Sequence, residues 1–134
     1  MSTFPSFVVT PRAVQQQKAN STDGNDLTGA TGLSGALAVG ANGSQVYYIL
    51  FKATTNTAAG LIRVYFSPDG GATKRLIAEL VTPAATVSGT VPAATVTWSP
   101  PGGVPFPATA GSTFYFSFPA NNETWNGILA GMDY

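Results

Sequence analysis

Six carboxylates, Asp23, Asp26, Asp69, Glu79, Glu123 and Asp133, make up the acidic side chains of a chain that has neither histidine nor cysteine. Ser-His-Asp and Cys-His nucleophile arrangements are therefore excluded. So are thiolate or imidazole metal sites and a disulfide framework. A glycosidase needs two carboxyls roughly 5–10 Å apart across a sugar cleft. Only Glu123 and Asp133 could approach in that way, if the last two strands pair, and nothing else in the sequence suggests a cleft. Asp23-Gly24-Asn25-Asp26 is a fragment of a calcium loop without the full spacing or the bidentate glutamate, so an Asx turn is expected there. The glycines form neither a GxGxxG nor a P-loop pattern and mark turns instead. Trp98 and Trp125 are of a type that stacks on sugars, plugs a sandwich core or fills an interface. No catalytic residue, cofactor or metal ion is expected.

The rest of the composition points the same way. A chain of 134 residues is one domain in size. Only 9% of its residues are charged, six basic and six acidic, for a formal net charge of zero. Such a surface cannot neutralise a row of phosphates, so no nucleic-acid partner is expected. Near-zero net charge favours self-association, so part of the surface should be covered. The segment MSTFPSFVVTP has no basic n-region and no long apolar run, so no signal peptide is expected. No apolar stretch approaches the roughly 20 residues of a membrane span. The sequons at Asn20, Asn42 and Asn122 read as chance in a Ser/Thr-rich chain.

The elements that would carry these side chains are strands. Residues 1–32 stand apart as an N-terminal arm or edge segment. They combine an apolar patch (Phe4, Phe7, Val8, Val9) with the polar stretch QQQKANSTDGNDLTGATG, which shows neither strand nor helix period. Residues 33–134 read as the domain proper. Strands are expected at Leu33–Val39, Ser44–Thr54, Leu61–Ser67, Thr73–Val81, Thr95–Trp98, Val104–Ala108, Thr113–Phe118 and Thr124–Tyr134. Asn42-Gly43 predicts a hairpin, and Pro68-Asp69-Gly70-Gly71 a tight turn. The fold class is all-β: an antiparallel β-sandwich, jelly-roll-like, with an extended N-terminal arm. Deleting residues 2–31 should then leave the sandwich folded.

Alternation assigns faces. Phe114, Phe116 and Phe118 face the core from one strand, and Ile62, Val64 and Phe66 from another. In Ser44–Thr54 one face is Tyr47, Ile49, Phe51 and Ala53. The other is Val46, Tyr48, Leu50 and Lys52, also largely apolar. If the first is core, Tyr48 and Leu50 need a cover, and a subunit interface supplies one. Ile49, Phe51, Ile62, Val64, Phe66, Phe114 and Phe116 form the expected core.

The stretch GSQVYYILFKATTNTAAGLIRVYF, with the Gly-rich turn and RLIAEL that follow, resembles a family of small β-rich virion structural proteins of tailed bacteriophages. ANNETWNGILAGMDY is similar to that family's ending, an Asn/Glu-aromatic-Asn turn, an apolar strand and a Gly-x-Asp-aromatic terminus. The likeness covers roughly residues 43–134 and leaves the first 42 unmatched. It implies a capsid decoration or cement protein, a homotrimer made in the host cytoplasm and bound on the virion to the major capsid protein. Met132 stands where a second glycine is typical, and the faces around Tyr48 and Leu50 are more apolar than expected. Phe4, Phe7, Val8, Tyr48, Leu50 and Trp125 are the expected contact residues. The alternative is a tail- or fibre-associated lectin-like module in which Trp98, Trp125 and the Tyr residues bind a host glycan, with Asn121, Asn122, Glu123 and Trp125 as one candidate cluster.

Overall fold

Short runs of β-branched and aromatic residues, each closed by Gly, Pro, Asn or Asp, fold here into strands and almost nothing else. The computed structural model describes residues 10–18, 27–29, 35–118 and 123–134. Its strands are β1 (Thr10–Lys18), β2 (Gly35–Ala38), β3 (Ser44–Ala53), β4 (Gly60–Ser67), β5 (Arg75–Thr82), β6 (Thr95–Trp98), β7 (Phe106–Ala108), β8 (Thr113–Ser117) and β9 (Trp125–Asp133). Among the described residues one 3-10 turn, Pro101–Gly103, lies between β6 and β7. No described helix is long and apolar enough to cross a membrane.

Two antiparallel sheets face one another. One has the order β1-β9-β3-β6, with β7 also on β3; the other has the order β2-β8-β4-β5. The fold is an all-β sandwich. Its pairs β1–β9, β2–β8, β3–β6/β7 and β4–β5 are nested in the sequence. The chain thus runs as one long hairpin wound across both sheets.

The core lies between the sheets. Ile49, Phe51, Ile62, Val64, Phe114 and Phe116 are fully buried, as the alternation predicts, and Leu37, Trp125 and Leu129 join them. Phe66 is only partly buried and packs on the core beside Phe106 and Phe114, with ring centroids 5.0 and 5.2 Å away. The inner face of β9 reads Trp125, Gly127, Leu129, Gly131. Its glycines make room for a neighbour: a Cβ on Gly127 would stand 2.9 Å from the Phe116 ring.

Three expectations need correction. The first is the polar stretch after Pro11. Thr10–Lys18 is a full strand, paired with β9 from Thr10↔Asp133 to Lys18↔Trp125. Its inward residues are Arg12, Val14, Gln16 and Lys18, all less exposed than their neighbours. Only Val14 is apolar, so hydrophobic periodicity is blind to it. Arg12 instead pairs with Asp133, Gln16 Oε1 accepts the Ala36 amide on the edge of β2, and Lys18 Nζ lies 5.4 Å from the centre of the Phe118 ring. Long stems pack inward while each polar head finds a partner. β1 thus lies within residues 1–32, the segment expected as an N-terminal arm or edge segment, and forms the edge of its sheet.

The second is Asn42-Gly43. The chain does turn there, with Gly43 N–H donating to Gly40 O at 2.9 Å and Gly43 at φ 92°. The flanking strands β2 and β3 belong to different sheets, so the turn carries the chain across the sandwich and closes no hairpin. The Pro68-Asp69-Gly70-Gly71 turn, by contrast, joins the paired strands β4 and β5.

The third is the phase of β3. The register with β9 shifts between Val46 and Tyr48, a β-bulge. Val46 points into the core, Tyr47 and Tyr48 are both exposed, and Ile49 points inward again. Tyr47, expected inside, is outside.

Candidate functional site

Most of the described charged side chains are held in contacts within the sandwich. At one end Arg12 Nε donates to Asp133 Oδ1 at 2.6 Å, and the Ser44 hydroxyl donates to the same oxygen at 2.6 Å. Ser44 Oγ also accepts the Gly40 amide at 2.8 Å. This ties β1, β9 and β3 together where Thr10, Asp133 and Ser44 are aligned. The Arg12 hydrogen bond, with the Ser44 bond and the guanidinium charge, holds the Asp133 carboxyl below its ordinary 3.8, against the upward push of partial burial. A folded-state pKa below the unfolded one gives stability that is complete above about pH 4 and is lost as pH falls through the lower folded value. Asp133→Asn should therefore be less stable at neutral pH and lose less on acidification below pH 4 than the parent chain. Denaturant melts at both pH values check this; equal acid losses would mean that the carboxylate is not held. Asp69 is also lowered, mainly by the Thr73 amide and the Ser67 hydroxyl, so some acid loss persists in the variant.

At the other end Glu123 is buried. Its Oε2 accepts the Trp125 indole N–H at 2.8 Å and its Oε1 the Ala58 amide at 2.6 Å. Glu123 and Asp133 thus sit at opposite ends of β9, about 30 Å apart at roughly 3.3 Å per residue. They cannot flank one sugar bond, and the glycosidase pairing is excluded by distance. Arg63 and Glu79 form a cross-strand pair at 2.8 Å. Lys74 Nζ lies 5.1 Å from the centre of the Tyr115 ring. Among the described residues no group of three or more carboxylates could hold a metal ion. The Asp23–Asp26 segment lies outside the described residues.

Trp98 and Trp125 offer no stacking platform. Trp125 is fully buried, with its ring 6.2 Å from that of Phe118. Trp98 is 6% exposed and packs against Phe106 and Phe114 at 6.1 and 5.8 Å. Trp125, expected as a contact residue, is a core residue whose one polar atom is occupied by Glu123. Two members of the four-residue glycan cluster, Glu123 and Trp125, are thereby internal, and the other two, Asn121 and Asn122, lie outside the described residues; of the aromatics, Tyr47 and Tyr48 stay exposed.

What the molecule does present is a sheet face. The outer side of β1-β9-β3-β6 is built row by row from the register: Ala13, Ala130 and Tyr48; Gln15, Ile128, Leu50 and Thr97; Gln17, Asn126, Lys52 and Thr95. Leu50, Ile128, Ala130 and Met132 are partly exposed, and Tyr47 and Tyr48 are each 42% exposed. Lys52 is the only charged residue in these rows. Its ammonium is bent aside onto Ala93 O and Thr95 Oγ1, at 2.7 and 2.8 Å. The opposite sheet is different: Arg63, Tyr65, Ser67 and Ser117, on the side of β4 and β8 away from the core, are all buried.

No protein-family model matches the chain, and no curated protein matches it.

Of the expected contact residues, the structure brings Tyr48 and Leu50 together on this face. It places Trp125 in the core, and Phe4, Phe7 and Val8 lie outside the described residues. Sequence reasoning missed Tyr47, Ile128, Ala130 and Met132. Splitting Thr124–Tyr134 by alternation would have separated Asn126, Ile128, Ala130 and Met132 from the Trp125 face and revealed three of them. Nothing in the sequence marks the bulge that turns Tyr47 outward.

Proposed function

We propose that the chain is a non-enzymatic virion structural protein, a capsid decoration or cement protein that binds the outer capsid surface and stabilises it. The observation that carries this reading is the placement of its charge. The described ion pairs and the buried Glu123 hold the sandwich together, and one broad face is left with tyrosine, aliphatic, amide and hydroxyl groups and a single cation, Lys52. Such a face marks a protein that works by contact within an assembly, since charge is depleted and Tyr enriched at interface cores. The nested strand order is read as a jelly roll, an architecture used by viral capsid domains and lectins alike. Architecture alone does not choose between them. The burial of Trp98 and Trp125 favours the capsid.

The mechanism is clamping. A small oligomer bound across joints between copies of the major capsid protein adds buried area that resists expansion. A stable contact buries on the order of 1,200–2,000 Å² in total, and several such contacts on one particle multiply retention. The test is to mix purified protein with particles that lack it. It should pellet with the particles and raise the temperature at which they open. Failure to pellet, together with binding to a glycan array, would replace this reading with the tail-module alternative.

A further inference from the structure

We propose that the outer face of the β1-β9-β3-β6 sheet is a self-association surface, on which a second copy of this chain docks with the same face to form a two-fold dimer. The inference rests on the contact-protein reading above and names the surface and its first occupant.

Three features select a second copy. The first is charge. Two identical faces that carried carboxylates or free cations would repel when stacked. The rows of this face hold no carboxylate and one charged group, Lys52, whose ammonium keeps its charge but is turned toward the β6 edge by Ala93 O and Thr95 Oγ1. Its other polar groups are amides and hydroxyls, which both donate and accept and so complement their own copies. Gln17 and Asn126 already pair this way across β1 and β9, at 3.0 Å.

The second is area. β1, β9 and β3, with the shorter β6 and β7 beside β3, at about 4.8 Å between strands and about 3.3 Å per residue, give a flat area of about 550 Å². That is close to the share of each partner at the lower end of stable interfaces, about 1,200 Å² in total. The third is the asymmetry of the sandwich. On the outer side of the other sheet Arg63, Tyr65, Ser67 and Ser117 are already buried and the exposed Glu79 and Val81 stand on β5, whereas Tyr47 and Tyr48 stand exposed on this one. Tyr48, Leu50 and Ile128 form the centre of the face, where contact energy concentrates.

A face that meets its own copy closes as a two-fold pair. The trimer implied by the family resemblance would need a second, different patch. The proposed unit is therefore a dimer, and the capsid contact uses another part of its surface.

Sedimentation velocity at micromolar concentration reads the result. The parent chain should sediment as a dimer. Leu50→Glu should weaken the pair at least tenfold, because it buries an unpaired carboxylate in each copy. Tyr48→Arg, at an exposed position where folding is not at risk, should do the same. Thermal melts of the dilute variants should match that of the parent monomer. A monomeric or trimeric parent would overturn the pairing, as would two folded variants that stay dimeric. Particle pelleting separates the two proposals. A monomer that still pellets refutes the pairing alone, and a dimer that does not pellet refutes the capsid reading alone.

Discussion

Phe116→Ala should lower the stability of this protein by about 3–5 kcal/mol, the usual cost of emptying a buried phenylalanine site. For a domain of this size that corresponds to a drop in melting temperature on the order of 10–20 °C. Phe116 is fully buried at the centre of the sandwich. Its ring meets Phe51 edge-on at 5.2 Å and stacks near Phe118 at 6.0 Å. It also lies against Gly35 of β2 and Gly127 of β9, so one ring bridges both sheets. Those glycines have no side chain to swing into the void, which places the expected cost at the upper end. A differential scanning or denaturant melt decides the matter. A change within error would mean that Phe116 does not lie between the sheets.

Removing residues 1–18 should abolish cooperative folding or make the chain insoluble, whereas removing residues 1–9 leaves every pairing of β1 in place. The sequence alone predicted that deleting residues 2–31 leaves the sandwich folded; the pairing of Thr10–Lys18 with β9 argues for the opposite result. Without β1, β9 loses a nine-residue partner, Asp133 loses Arg12, and Phe118 loses the Lys18 ammonium. The strand left at the sheet edge would be β9, with Ile128, Leu129 and Ala130 in its middle. A long, mostly apolar edge whose one charge, Asp133, stands at its end is a template for aggregation. The two truncations are to be compared by solubility and by thermal melt. If they behave alike, β1 is not part of the sheet.

These two residue sets also mark what could and could not be read beforehand. The strands of residues 44–133 were legible because Pro, Gly and Asn close each one, and because Phe114/Phe116 and Ile62/Val64 alternate cleanly. β1 was not legible because an edge strand needs only one face half covered. Here the stems of Arg12, Gln16 and Lys18 do the covering that aliphatic residues do elsewhere. Tyr47 was misplaced because strict alternation assumes an unbroken register, and one inserted residue moves every earlier side chain to the other face. Trp98 and Trp125 were ambiguous for a different reason. Their size suits a core or a binding platform equally, and only the position of a hydrogen-bond acceptor, Glu123 for Trp125, separates the two.

The place of β9 has a consequence for how the protein is made. It lies between β1 and β3, yet it is the last of the nine strands to be synthesised. Arg12 and Asp133, joined in the finished molecule, are 121 residues apart. At ribosomal speeds of 5–20 residues per second, β1 waits roughly 6 to 24 s for its only described strand partner to be polymerised. During that interval β3 has no neighbour on that side, so this sheet closes only once β9 has been made, and long-range closure of this kind is slow. The nascent chain is therefore a natural client for holding chaperones. A ribosome that stops before Trp125 releases β1 and β3 with nothing to join them.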